Sequence, residues 1–322
     1  MKAVRISAHG GPEVLTVTDT PDPTPAPGQA LVQVEAAGVN FIDVYQRVGL
    51  YKPPLPFTLG QEGAGTVIAC GNGVTAIDVG DRVAWTSILG SYAEQAIVPA
   101  NRLVPLPAEV STRQGAAVML QGMTAHYLAF DTYPLKPGDT CVVMAAAGGV
   151  GLLLTQIAKL RGARVIALTS TPEKATLARE AGADQVVDYT RESFDEVVRT
   201  VTDGKGAQVV YDSVGKTTFD TSLKALAPRG LLALFGQSSG PVPPVDPQVL
   251  AAGGSLYLTR PTLGNYIASD DDLRRRASDL FSWMASGALR VRIGHEFPLA
   301  DVAQAHRALE GRKTTGKVLL LP

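Results

Sequence analysis

The densest chemistry in this sequence lies in the run Ala145-Ala146-Ala147-Gly148-Gly149-Val150-Gly151. It stands between a continuous apolar segment at 140–144 and a helix-forming one at 150–160, where a strand gives way to a helix. Set against the dinucleotide fingerprint G-x-G-x-x-G, it reads Ala146-x-Gly148-x-x-Gly151, with one glycine replaced by the next smallest residue. Gly148 lets a pyrophosphate come close to the backbone, and Gly151 lets the helix pack against the strand. The free N–H groups of the helix start then face the phosphate oxygens. About twenty residues further on, the second strand ends Ala167-Leu168-Thr169-Ser170-Thr171, with no carboxylate for a ribose 2′-hydroxyl. Glu173 lies just beyond. The small hydroxyls leave room for a 2′-phosphate and Lys174 supplies positive charge, so these residues favour NADPH over NADH.

The turn needs a sheet beneath it, and the sequence from 140 onward supplies one. Strands are expected at 140–144, 164–168, 185–189, 209–212 and 231–235, with an edge strand at 255–258. Helices are expected between them at 150–160, 172–181, 194–201 and 219–226. Apolar strands without alternation fit a sheet covered on both faces, and right-handed crossovers make it a doubly wound α/β fold. Before residue 123 the character differs. Short alternating runs at 29–37, 65–69 and 82–84, after an opening strand at 1–6, predict a β-rich, partly barrel-like domain. Pro21, Pro23, Pro25 and Pro27 read as a stiff surface connector. Near the other end, Asp270, Asp271 and Asp272 each stand four residues before Arg274, Arg275 and Arg276, the spacing of a solvated helix face.

The 322 residues suit two domains, and 45% hydrophobic against 18% charged residues excludes a disordered chain. A formal net charge of −1 without a basic block argues against a nucleic-acid or anionic-membrane surface. No segment reads as a leader or a membrane span, so a cytoplasmic location is expected. Two cysteines, Cys70 and Cys141, are too few for a disulfide framework and read as packing residues. The four histidines, His9, His126, His295 and His306, do not cluster in sequence and read as surface or core residues.

Several further motifs appear in order. They are Gly10-Gly11-Pro12-Glu13-Val14-Leu15, Ala37-Gly38-Val39-Asn40-Phe41-Ile42-Asp43, Gly60-Gln61-Glu62-Gly63-Ala64-Gly65 and Val79-Gly80-Asp81-Arg82-Val83, then the glycine turn, Tyr211-Asp212-Ser213-Val214-Gly215, and Ala305-His306-Arg307-Ala308-Leu309-Glu310 with Gly316-Lys317. Over essentially the whole chain this resembles the zinc-free quinone oxidoreductase branch, zeta-crystallin included, of the medium-chain dehydrogenase/reductase superfamily. The resemblance implies a GroES-like catalytic domain from 1–123 and 265–322, and a Rossmann NADPH-binding domain from 124–264. Zinc-dependent relatives place Cys near Val39-Asn40 and Gly-His-Glu at Gly60-Gln61-Glu62. Here both the thiolate and the imidazole are missing, which leaves Glu62 without the partners of a tetrahedral zinc site. No metal is expected.

Without a Lewis acid, the substrate must accept hydride readily by itself. A quinone does, and positioning it beside the nicotinamide in an interdomain cleft is the main catalytic demand. The resemblance implies that Asn40, Asp43, Tyr45 and Tyr51 surround that cleft. Asn40 is expected to hydrogen-bond the nicotinamide ribose or the acceptor oxygen. Asp43, with its ordinary preference for ionisation, is expected to order polar neighbours. The tyrosines offer flat faces and hydroxyls for developing negative charge, with packing alone as the other reading. For the cofactor the resemblance implies Thr124, Gly148, Gly149, Val150, Ser170, Lys174, Tyr189, Ser213, Phe235, Gln237, Ser238 and Lys317. It also implies a homodimer. Two rivals stand beside quinone reduction: an enoyl-thioester or alkenal reductase with Tyr51 as the key hydroxyl, and an NADPH-binding, crystallin-like protein with little turnover.

Overall fold

Short β-branched and apolar runs broken by turn residues make the first third of the chain strand-rich. In a computed structural model describing residues 1–322, they form β1 (Lys2–Ile6), β2 (Thr16–Asp19), β3 (Gln29–Val39), β4 (Phe57–Thr58), β5 (Glu62–Cys70), β6 (Arg82–Thr86), β7 (Gln95–Pro99) and β8 (Val104–Pro105). Helix α1 (Phe41–Arg47) follows β3, and α2 (Thr112–Tyr127) follows β8. The middle holds β9 (Thr140–Val143), α3 (Gly149–Leu160), β10 (Arg164–Thr169), α4 (Pro172–Glu180), β11 (Gln185–Asp188), α5 (Phe194–Val201), β12 (Ala207–Asp212), α6 (Phe219–Lys224) and β13 (Leu226–Leu234). It closes with α7 (Gln248–Ala252), β14 (Tyr257–Thr259) and α8 (Leu263–Tyr266), and the chain ends with α9 (Asp270–Ala285), β15 (Ile293–Pro298), α10 (Val302–Glu310) and β16 (Lys317–Leu321). Two units result: Met1–Met123 with Ile267–Pro322, and Thr124–Tyr266.

The second unit is a six-stranded parallel sheet in the order β11-β10-β9-β12-β13-β14. Counted from β9 this is the three-two-one-four-five-six order of a dinucleotide fold, with its reversal between β9 and β12. Val142, Ile166, Leu168, Val210 and Leu232 are fully buried, which accounts for the unbroken apolar strands. The expected strands are present, with one change at β13. It begins at Leu226, where a helix end was expected, and its register with β12 slips between Ala207 and Val209. Arg229 adopts a φ of 61°, so this bulged start hides the strand from apolar patterning.

The first unit is built on β3, whose eleven residues pair with β5, β7 and β16. A seven-stranded sheet ordered β15-β16-β3-β5-β6-β8, with β7 also on β3, stands beside a three-stranded sheet β2-β1-β4. Their common core includes Val4, Val32, Leu59, Trp85, Tyr92 and Leu320. The acidic and basic run on α9 forms the expected solvated face in part, with Asp271, Arg274 and Arg275 exposed. Asp270 turns to Asn101 (3.1 Å) and Arg102 (3.5 Å), Arg276 is buried, and Asp272 pairs with Arg275 one residue nearer than predicted, at 3.3 Å. Burial of one flank of the helix takes Arg276 off that solvated face.

Candidate active site

Strand register brings three distant residues to one end of β3. Val39 faces Val318, and Ala37 faces Gly63, so Asn40, Lys317 and Glu62 all lie one residue beyond a paired position. Gly38 makes the space: a Cβ there would meet Ala116 O at 2.6 Å and Lys317 Cε at 2.7 Å. The Lys317 ammonium donates to Glu62 Oε2 and, at 2.9 Å, to Asn40 Oδ1. Gln121 Nε2 also donates to Asn40 Oδ1 at 3.1 Å, while Asn40 Nδ2 donates to Glu62 Oε2 at 2.9 Å and to Gly38 O at 3.1 Å. Leu120 N completes the cluster on Glu62 Oε1 at 2.6 Å. Burial pushes the pKa of Lys317 down, against the pull of Glu62 in the other direction.

This arrangement shows what Asn40 and Lys317 contact within the protein. A side-chain amide has two N–H groups and two acceptor sites on its oxygen, and Asn40 has filled all four inside the protein. These bonds order the end of β3. Lys317 is 1% exposed and pairs its charge with Glu62. Glu62, which the missing thiolate and imidazole leave without zinc-site partners, pairs with Lys317, Asn40 and Leu120 N.

Asp43 lies in the first turn of α1 and is entirely buried. Its Oδ2 accepts from Asn40 N and from Tyr92 Oη, both at 2.8 Å, while Oδ1 has no partner. It does order its neighbours, as expected, but without the ordinary carboxylate's ease of ionisation. Burial drives its pKa up to about 7, opposed by the hydrogen bonds from Tyr92 and Asn40. Two residues on, the Tyr45 ring meets the Tyr51 ring edge-on at 5.6 Å, and Tyr45 O accepts from Leu50 N and Tyr51 N at 2.9 and 3.1 Å. Tyr51 is 38% exposed and its hydroxyl has no protein partner. Of the four residues expected around the acceptor, Tyr45 and Tyr51 share one aromatic surface, while Asn40 and Asp43 are buried and joined through Asn40 N and Asp43 Oδ2.

In the second unit, the carboxyl ends of the parallel strands gather the other candidates. α3 starts at Gly149 with Gly148 as its N-cap, and no side chain caps its first N–H groups. A Cβ on Gly151 would lie 2.7 Å from Ala146 Cα, so the turn and helix approach backbone to backbone as the fingerprint requires. The left-handed position of this turn is Ala145 (φ 48°), not Ala146. A bare helix N-terminus that begins at a glycine turn is the donor set a pyrophosphate needs, so the residues fit a dinucleotide. After β10, Ser170 precedes α4, which Thr171 caps through Lys174 N at 3.3 Å. Glu173 is held below the usual carboxylate range by its own backbone N–H and by Thr171, and so is turned onto its own helix start. Tyr189 packs at the edge of the unit's core.

Asp212, within a motif already noted but given no role, shapes the rest. Its Oδ1 accepts from Val214 N (2.7 Å) and Gly215 N (3.0 Å), and its Oδ2 from Thr218 Oγ1 and Ser222 Oγ, both 2.8 Å. The loop carrying Ser213 is thereby folded back on Gln237 and Ser238: Ser238 N donates to Ser213 O at 3.2 Å, and a Cβ on Gly236 would lie 2.6 Å from that same oxygen. Phe235 N bonds Asp212 O at 2.9 Å. Thr124 is buried on α2.

Comparison with known proteins places these features in one family. Residues 26–108 match the alcohol dehydrogenase GroES-like domain and residues 149–283 the zinc-binding dehydrogenase domain. A quinone oxidoreductase of Pseudomonas aeruginosa is 48% identical over 100% of this chain and 99% of its own length. The chain belongs to the quinone oxidoreductase family of the medium-chain dehydrogenase/reductases. The NADPH-complexed quinone oxidoreductase of Escherichia coli is 43% identical and superimposes with a TM-score of 0.98, covering 100% of both chains. A 2-haloacrylate reductase from Burkholderia is 39% identical over 99% of this chain and 98% of its own length. Within this quinone oxidoreductase fold, the signal that could have exposed the Asn40 cluster was the pair of motifs ending in Glu62 and Lys317, both fixed by β3.

Proposed function

We propose that this chain is an NADPH-dependent quinone reductase that works without a metal. The observation that carries it is the uncapped start of α3 on a parallel sheet whose second strand ends at Thr169 and leads through Ser170 to Lys174, with the one nearby acid, Glu173, held at its own helix start. Its family and the NADPH held by solved relatives agree with that reading. Gly148, Gly149 and Val150 cradle the pyrophosphate, Ser170, Lys174 and Tyr189 take the adenosine 2′-phosphate end, and Thr124, Ser213, Phe235, Gln237 and Ser238 line the nicotinamide half. NADPH, when bound, supplies the hydride. The protein's share is orientation: Tyr45 and Tyr51 present flat faces to a planar ring, and the Tyr51 hydroxyl offers a proton to a developing oxyanion. We assign the active form as a cytoplasmic homodimer. No helix is long and apolar enough to cross a membrane.

A second reading is reduction of an activated alkene, an alkenal or enoyl thioester. The unpartnered Tyr51 hydroxyl and the 2-haloacrylate reductase relative favour it. Loss of NADPH absorbance measured with a small quinone, phenanthrenequinone and crotonyl-CoA, after chelator treatment, separates the two. Quinone turnover exceeding crotonyl-CoA turnover is expected, with NADPH preferred over NADH and that preference lost in Lys174→Ala. The opposite order of acceptors makes alkene reduction the function, and loss of activity to the chelator ends the metal-free account.

A further inference from the structure

The polar residues around Asp43 continue well beyond it. Tyr92, in the loop before β7, His306 on α10 and Arg47 at the end of α1 are all buried, and the reaction described above uses none of them. Arg47 Nη1 lies 3.0 Å from His306 Nδ1, His306 Nε2 lies 3.4 Å from Tyr92 Oη, and Tyr92 Oη donates to Asp43 Oδ2 at 2.8 Å. At the outer end Arg47 grips Glu310 through two hydrogen bonds of 2.9 and 2.7 Å, and its Nε donates to Gly10 O at 3.1 Å.

The direction of this chain follows from its chemistry. A guanidinium can only donate, so His306 Nδ1 accepts and the imidazole proton sits on Nε2, facing Tyr92. Tyr92 then points its own proton at Asp43. A second proton on His306 is opposed by burial and by the Arg47 charge, which push its pKa down to about 3. The imidazole therefore stays neutral and the chain keeps one polarity. Asp43 is left with two donors on Oδ2 and none on Oδ1. Because one of those donors is the Asn40 backbone at the start of α1, whatever holds Asp43 also holds the helix that carries Tyr45.

We propose that His306 and Tyr92 are positioning residues of the acceptor site, holding Asp43 through a one-way hydrogen-bond chain anchored on Arg47 and Glu310. Asp43 transmits that hold to α1 and so to the Tyr45–Tyr51 surface. The groups that set its charge are Tyr92 from the loop, Glu62 from β5 and Lys317 from β16, with His306 and Arg47 standing behind Tyr92. Only the kinetic part of the proposal rests on the quinone-reductase reading.

The test compares wild type with Tyr92→Phe, which keeps the ring and removes the hydroxyl, and with His306→Leu and His306→Gln. Carboxyl NMR of aspartate-labelled protein, with Asp43→Asn to assign the signal, follows the Asp43 titration directly. Losing the Tyr92 donor removes support for the charged form, so the titration moves up by about half a pH unit or more in Tyr92→Phe. The quinone KM rises about threefold or more, the scale of one lost hydrogen bond, while the Kd for NADPH is unchanged. His306→Leu shifts both readouts the same way, and His306→Gln, which can still donate to Tyr92, restores them. An Asp43 titration and a quinone KM in Tyr92→Phe that superimpose on wild type overturn the proposal. A shifted titration in a protein that reduces no quinone leaves the chain standing and ends the quinone reading instead.

Discussion

Lys317 and Glu62 form a buried ion pair in which each charge depends on the other, since neither side chain reaches water. Removing one partner of such a pair strands a charge in the interior and costs about 3–5 kcal/mol, far more than the pair contributes by its presence. Lys317→Met is expected to lose stability on that scale in urea denaturation, and adding Glu62→Gln to it should recover a large part. Asp43 makes a different prediction. Its pKa is raised from 3.8 to about 7 in the folded protein, so between those values the native state holds a proton that the unfolded chain releases. Stability from this group is therefore complete at pH below the unfolded value and declines as pH rises through about 7. Asp43→Asn, which cannot titrate, should flatten the fall in thermal midpoint between mildly acidic and neutral pH.

At the scale of elements, the turn between β9 and α3 gives a test of local strain. Ala145 adopts a φ of 48°, a left-handed conformation in which a Cβ crowds the following carbonyl. Ala145→Gly should raise stability by about 0.5–1 kcal/mol, the relief of that crowding less the entropy of the freer unfolded chain. Denaturant midpoints of the two proteins decide it. This same region shows what the sequence could and could not disclose. Unbroken apolar strands, a small-residue turn and the absence of an acid after Leu168 were all local, so the doubly wound sheet and its cofactor type could be read directly. The role of Asn40 could not. Its partners Glu62, Gln121 and Lys317 lie far along the chain and meet only through the register of β3 with β5 and β16. An asparagine before a helix gives no sign of partners so distant in the chain. Arg276 misled similarly, because a charge at regular helical spacing gives no sign that its neighbours bury it.

At the scale of the molecule, the first unit is interrupted: residues 124–266 are inserted between its two parts. The inserted unit has all six strands of its sheet in one continuous stretch, with its own core. The outer unit is completed only by β15, β16 and α10. Its central strand β3 pairs with β5 and β7, but residues 37–39 lack a partner on one edge until β16 arrives, and Val318 and Leu320 are missing from its core until then.

Order of synthesis follows from this arrangement. The ribosome delivers Glu62 about 255 residues before the lysine that neutralises it, so for most of translation that carboxylate has no ammonium to close on. The inserted unit should fold first, on the ribosome, while the outer unit waits in an open state that a chaperone can hold. Stalled nascent chains released after residue 266 should show a protease-resistant core from the inserted unit alone, and resistance of the outer one should appear only once Lys317 has cleared the exit tunnel. Early resistance of residues 1–123 would show that the first strands close without their last partner.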